Sequence, residues 1–201
     1  MQMLIPVLVA LLAALPRGGS VRALVLELER LRGLAFFLIA MGVQILLFIP
    51  GPRQAVVVAH LGEIAYVATM LLVLVGALAN WRLGWALRVA TLGLALNTLV
   101  IVANNGAMPT SVAAQRAAAD PARLREIADR GAFLNTRAAG GATRLAPLSD
   151  VIPVRVPGLR GNVYSVGDVL IVAGGSAFVY CAARPTRMRR KPDRPAAEQR
   201  A

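Results

Sequence analysis

Charge, cysteine and aromatic residues are what this chain has least of. Only 16% of its 201 residues are charged, against roughly a quarter in an average soluble domain. The single cysteine, Cys181, excludes an internal disulfide and a thiolate zinc cluster. Aromatic residues make up 5%, and no basic motif is interleaved with them, which argues against a nucleic-acid partner. Acids are few, 10 against 22 basic residues. Only one of the basic residues is lysine, a bias of coding composition rather than of physics. Nothing basic precedes the apolar run Met1 to Leu15 and Arg17 follows it, so this run reads as a retained short helix rather than a cleaved secretion signal.

What remains is apolar. Hydrophobic residues make up 57%, and the mean hydropathy is +0.64. They gather in five stretches, and a bilayer core asks for about 20 mostly apolar residues in a helix. The expected fold is an all-α membrane protein, a five-helix transmembrane bundle. Its spans cover about residues 2–15, 33–50, 57–79, 84–103 and 163–183, with one long loop at 104–162 and a basic tail at 184–201. Within 201 residues there is room for one membrane domain and no second large one.

Basic residues set the expected orientation. Arg17, Arg22, Arg30 and Arg32 fall in the first linker, Arg82 and Arg88 near the third, and six Arg with one Lys in the tail. Five spans put all three segments on one side, the cytoplasmic one, and place the loop 104–162 outside. Trp81 and Trp85 sit where interfacial anchors belong. The loop is expected to be partly ordered. Pro121 to Arg130 reads as a short helix capped by Asp120, Gly140-Gly141 as a break, and Val151 to Val156 as a short edge strand because of Pro153. The Arg-rich tail reads as disordered, anchoring topology or touching anionic lipid. No internal repeat supports an inverted-repeat transporter.

Polar groups inside hydrocarbon are costly and ask for a partner or a cavity. Gln44, Glu63, Asn97 and Asp168 are such groups. Counted from the expected span ends, each lies roughly 9–10 Å below the outer rim, at a rise of about 1.5 Å per residue. Asn97 and Asn104 share a helix face, and His60 lies three residues before Glu63. The pattern admits two readings. One is an outward-open pocket binding a membrane-embedded peptide or lipid, with Gln44, Glu63, Asn97, Asn104 and Asn105 as contacts. The other is interhelical hydrogen bonding, which Gln and Asn commonly supply. An intramembrane carboxylate favours the first reading at Asp168. Asp150 stands just outside the membrane, and should the chain double back at Pro157-Gly158 the two carboxylates would meet. Paired carboxylates sharing a proton can activate water for hydrolysis. Asn104-Asn105-Gly106 also suits a helix cap that Pro109 terminates.

Four motifs carry a resemblance: Leu96-Asn97, Asn104-Asn105-Gly106-Ala107-Met108-Pro109, Leu148 to Pro153, and Tyr164-Ser165-Val166-Gly167-Asp168. In these the chain resembles the bacterial multi-pass membrane proteins of domain of unknown function 5317, which implies the bacterial cytoplasmic membrane and no particular reaction. Its C-terminal part is also similar, more faintly, to lipoprotein signal peptidase (signal peptidase II), an intramembrane aspartyl peptidase. That likeness implies Asp150 and Asp168 as the catalytic pair. The departures from that family are specific. Only Asn97 survives of its Asn-x-x-Asp-Arg pattern, Ser165 stands for its motif Asn, and Gly167 for its Ala. Two function classes follow: an aspartyl hydrolase acting on a membrane-embedded substrate, or a non-enzymatic scaffold or partner subunit whose polar residues stabilise helix packing. Neither calls for a cofactor or a metal, and membrane lipids are the expected partners.

Overall fold

The computed structural model describes residues 3–48, 54–118, 125, 132–133, 136–156 and 161–184. The expected helix at Pro121 to Arg130 and the tail beyond Arg184 lie outside the described residues. Two compact units are present, Met1–Leu31 with Ser176–Ala201, and Arg32–Gly175.

The first unit begins with α1 (Leu4–Ala14), closed by a 3-10 turn at Leu15–Arg17. Gly18 takes a left-handed φ of 82° that permits the tight exit. The linker expected after it is itself helical. Ser20 caps α2 (Val21–Leu28), its side chain accepting from the Ala23 N–H at 3.1 Å. The Ser20 N–H donates to the Ala183 carbonyl at 2.7 Å, and Ala14 and Ala183 are both fully buried in this seam.

In the second unit α3 (Leu34–Phe48) and α4 (Gln54–Ala79) form an antiparallel pair. Phe37 lies against Gly76, and Gln44 donates to Thr69. A 3-10 turn at Trp81–Leu83 leads into α5 (Trp85–Ala103). Val100 and Ile101 of α5 join Met108 in a core flanked by Tyr66, Val67, Met70 and Leu148. The last helix, α7 (Val166–Ala183), meets α5 backbone to backbone. A Cβ on Gly93 would stand 2.4 Å from the Gly167 carbonyl, and one on Gly174 2.4 Å from the Ala90 nitrogen. Small residues at such a seam let helices approach where lipid offers no hydrophobic drive for association.

The all-α expectation needs one correction, in the loop, and three of the five expected spans are met by long apolar helices. Among the described residues three helices are long and apolar enough to cross a membrane, covering Gly62–Ala79, Trp85–Ala103 and Val166–Ala183. The apolar helices at Leu4–Arg17 and Leu34–Leu46 are shorter. The described part of α3, 15 residues, rises about 22 Å and the 11 residues of α1 about 16 Å, against a hydrocarbon core near 30 Å; residues 49–53, which follow α3, lie outside the described residues. The loop also holds sheet. Strands β1 (Met108–Thr110), β2 (Ala132–Phe133) and β3 (Thr136–Ala138) lie in the order β1-β3-β2, with β1 parallel and β2 antiparallel to β3. Helix α6 (Val112–Ala118) follows β1. Strands β4 (Ile152–Val154) and β5 (Asn162–Tyr164) form an antiparallel pair in which Pro153 faces Val163, as the edge-strand reading of that segment expects.

Candidate functional site

Asp168 stands in the first turn of α7, and Ser165 precedes that helix. The Ser165 Oγ accepts from the Asp168 N–H at 3.0 Å, and the Asp168 Oδ2 accepts from the Ser165 N–H at 3.0 Å. This reciprocal pair is a capping box, satisfying two backbone donors that a helix start leaves open. The negative charge also faces the positive end of the helix dipole. Asn97 of α5 closes the arrangement from the neighbouring helix. Its Nδ2 donates to Asp168 Oδ1 at 2.8 Å, and its Oδ1 accepts from the Ser165 hydroxyl at 2.9 Å. Ser165 is fully buried and Asn97 nearly so. Three side chains thus form a closed ring in which each carboxylate oxygen of Asp168 accepts a hydrogen bond from the chain. The close approach of Gly93 and Gly167 makes the ring possible, since a Cβ on Gly167 would fall 2.0 Å from Asn97 Oδ1.

Asp150 is tied elsewhere. Its Oδ2 accepts from the Thr110 hydroxyl at 3.0 Å, with Thr110 fully buried and Asp150 7% exposed. The backbone joins the same two segments, through the Asp150 N–H to Pro109 O at 3.0 Å and the Ser111 N–H to Asp150 O at 2.9 Å. The carboxylate therefore belongs to the junction between β1 and the segment entering β4. The Val151 N–H donates to Tyr164 O at 3.2 Å, so the chain does double back from Asp150 toward the start of α7.

Gln44, Glu63, Asn104 and Asn105 each have partners or settings of their own. Gln44 Nε2 donates to the Thr69 Oγ1 at 3.1 Å, and the Thr69 hydroxyl donates to Tyr66 O at 2.7 Å. Glu63 is about half exposed and pairs with Arg137 of β3. Asn104 ends α5. Its Nδ2 donates to Val100 O at 2.8 Å and Arg144 O at 2.9 Å, while its Oδ1 accepts from the Arg144 N–H at 2.9 Å. Asn105 takes a left-handed φ of 56° and Gly106 one of 83°, and the Gly106 N–H returns to Ile101 O at 2.9 Å. This closes the helix end as the Asn-Asn-Gly reading expects. Gly106 also lies directly on α4, where a Cβ would meet the Glu63 Cβ at 2.8 Å. His60 lies within α4, and its side chain is outside what is described.

Of the expected site residues, the structure joins Asn97 to Asp168. It gives Gln44, Glu63 and Asp150 separate partners in Thr69, Arg137 and Thr110. Ser165 and Thr110 complete the two carboxylate sites, of which that of Asp150 is buried and that of Asp168 partly so. The Ser-x-x-Asp spacing of a capping box signals the first of these in the sequence, whereas nothing local marks the second. Gln115 of α6 is buried with neither amide atom hydrogen-bonded. Among the described residues no group of three or more His, Cys, Asp and Glu comes together to hold a metal ion.

Comparison with known families gives a match over most of the chain. The model of a family described as of unknown function (DUF5317) covers residues 29–180. No curated protein and no solved structure matches the chain, so the likeness to lipoprotein signal peptidase finds no support.

Proposed function

We propose a structural rather than a catalytic role for this chain, which belongs to the family of unknown function DUF5317 and is a multi-pass membrane protein. In this reading it is a membrane scaffold or partner subunit, and its intramembrane polar residues are interhelical locks.

The observation that carries the reading is the coordination of Asp168. Each carboxylate oxygen carries two lone pairs, so one bond from the protein does not itself bar proton uptake. What supports anchorage is that both oxygens are used to tie the start of α7 to itself and to α5. Here one oxygen accepts from Asn97 and the other from the Ser165 backbone. Gln44 with Thr69 and Asn104 with Arg144 repeat the pattern of amides joining elements. The finer alternative, an aspartyl hydrolase using Asp150 and Asp168, requires a shared proton and so near contact of the two groups. The partners of Asp168 and the Thr110 bond of Asp150 speak for anchorage instead.

The test is a set of variants followed by thermal unfolding in detergent micelles. Asp168→Asn and Asn97→Ala each lose a stabilisation of about 1–2 kcal/mol, from a helix cap and an interhelical bond. The double variant loses less than the sum, because the residues share one ring. Variants Asp150→Asn and Asp168→Asn that keep the native unfolding midpoint while abolishing hydrolysis of a membrane-embedded peptide or lipid would instead establish the enzyme.

A further inference from the structure

At the end of α4 remote from Asp168, Arg32, Leu78, Ala79, Trp81 and Arg82 line an open cleft of about 520 Å³. Its geometry is fixed from beneath by Asn80, which is 2% exposed. The Asn80 Oδ1 accepts from the Arg32 N–H at 2.8 Å, and its Nδ2 donates to Arg32 O at 2.8 Å and to Gly76 O at 2.7 Å. Arg32 is thereby clamped by both of its backbone groups. The turn opposite is held as well: the Leu83 N–H donates to Asn80 O at 3.0 Å, and Arg88 Nε donates to Trp81 O at 3.1 Å. A hydrogen-bonded frame thus carries two cationic side chains.

Neither the Arg32 nor the Arg82 guanidinium has a hydrogen-bond or ion-pair partner among the described residues. Of the described acids, Glu29 stands three residues before Arg32 in the sequence, and those of the cleft's own unit are far away. Glu63 lies sixteen residues before Ala79 on α4, a rise of roughly 24 Å, while Asp150 and Asp168 are engaged with Thr110 and Asn97. Two unpaired arginines in one cleft repel each other and attract an anion, and the planar guanidinium matches phosphate oxygens in a bidentate fork.

The rest of the cleft selects which anion. Leu78 and Trp81 are exposed at 52% and 41%, apolar surface that a free phosphate ion would leave in water. The cleft also lies where the apolar part of α4 stops at Ala79 and that of α5 begins at Trp85, which is headgroup depth if these helices cross the bilayer. Tryptophan is enriched at that depth. We propose that this cleft binds the phosphate of an anionic phospholipid between Arg32 and Arg82, with Trp81 and Leu78 against the glycerol and upper acyl region. The site makes the end of the α3–α4–α5 unit a lipid-dependent one, independently of what Asp150 and Asp168 do.

The only two tryptophans of the chain, Trp81 and Trp85, lie in or beside the cleft, so tryptophan emission, excited where tyrosine does not absorb, reports on this end of the bundle alone. The full chain in detergent micelles is titrated with phosphatidylglycerol. The expected result is a saturable change in emission that neither phosphatidylcholine nor inorganic phosphate reproduces. Arg32→Gln and Arg82→Gln should each weaken it roughly fivefold, the attraction of one basic side chain for an anionic lipid surface. Arg116→Gln with Arg144→Gln, which remove equal charge elsewhere, should leave it unchanged. Saturation by phosphatidylcholine or by phosphate alone overturns the proposal, as does equal loss from the remote pair or undiminished binding in the Arg32 and Arg82 variants. If the double variant Arg32→Gln/Arg82→Gln has a lowered unfolding midpoint, the two single variants decide, and each must show its own loss.

Discussion

A single carbon atom separates tolerance from disruption along α7. Gly167 lies against Asn97 and the Gly93 carbonyl, whereas a Cβ on Gly175 would meet nothing within 4 Å. Gly167→Ala must push α7 from α5 and break the ring, and overpacking of this kind costs about 1–3 kcal/mol. Gly175→Ala adds a methyl group to open space and removes a helix-interior glycine, a gain of up to about 1 kcal/mol. Thermal unfolding of the two variants should move in opposite directions. Glu63 offers a contrast of another kind. Its pair with Arg137 joins α4 to β3, but the side chains are 53% and 48% exposed. Solvent screening limits such a pair to about 0–1 kcal/mol, so Glu63→Gln should leave the unfolding midpoint almost unmoved at any salt concentration. The sequence made Gln44, Glu63, Asn97, Asp150 and Asp168 visible as polar groups in or beside apolar runs. It did not reveal their partners, because Thr69, Thr110 and Arg137 are ordinary residues that become partners only through the fold.

The same division holds for whole elements. Helices α4, α5 and α7 were legible because an unbroken apolar run long enough to cross a bilayer has few other uses. The start of α7 lies three residues beyond the expected span start at 163, although Ser165 and Asp168 carry the spacing of a capping box that marks it. Strands β1 to β3 were not legible, because two or three residues are too few for an alternating pattern to emerge. Helix α2 was hidden because Arg22 within it, with Arg17 and Arg30 flanking it, read first as topology signals. Short elements of this kind depend on tertiary anchors, and Asn104 is one. It holds both backbone groups of Arg144, in a segment otherwise exposed to solvent. Asn104→Ala removes both bonds and leaves local opening much easier. Limited trypsin digestion followed by mass mapping should then show cleavage after Arg144 several-fold faster than in the native chain, with cleavage after Arg17 unchanged. Equal rates at Arg144 in both proteins would show that β1, β3 and the Thr110–Asp150 bridge hold this segment without Asn104.

At the scale of the molecule, the decisive quantity is how many times the chain crosses the membrane between two chosen points. Helix α5 runs 19 residues without a break, about 28 Å, close to the thickness of the hydrocarbon core. Its two ends differ in kind. The Trp81–Leu83 turn bears Arg82 and exposed tryptophan, while the other end opens into the β1–β3 sheet and the Asn104 clamp. One crossing must therefore place Arg82 and Ala142 on opposite faces, whichever face is cytoplasmic. In a Cys181→Ser background, which removes the only native thiol, Arg82→Cys and Ala142→Cys can each be exposed to a membrane-impermeant thiol reagent in sealed vesicles. One should react before lysis and the other only after it. The orientation expected from the basic residues further requires that Ala142→Cys be the one labelled from outside in intact cells. Opposite labelling with Arg82→Cys outside would keep the single crossing and reverse the orientation. Labelling of both from one side would mean that α5 lies within a protein interior rather than across a bilayer, because a single helix cannot return to the face it left.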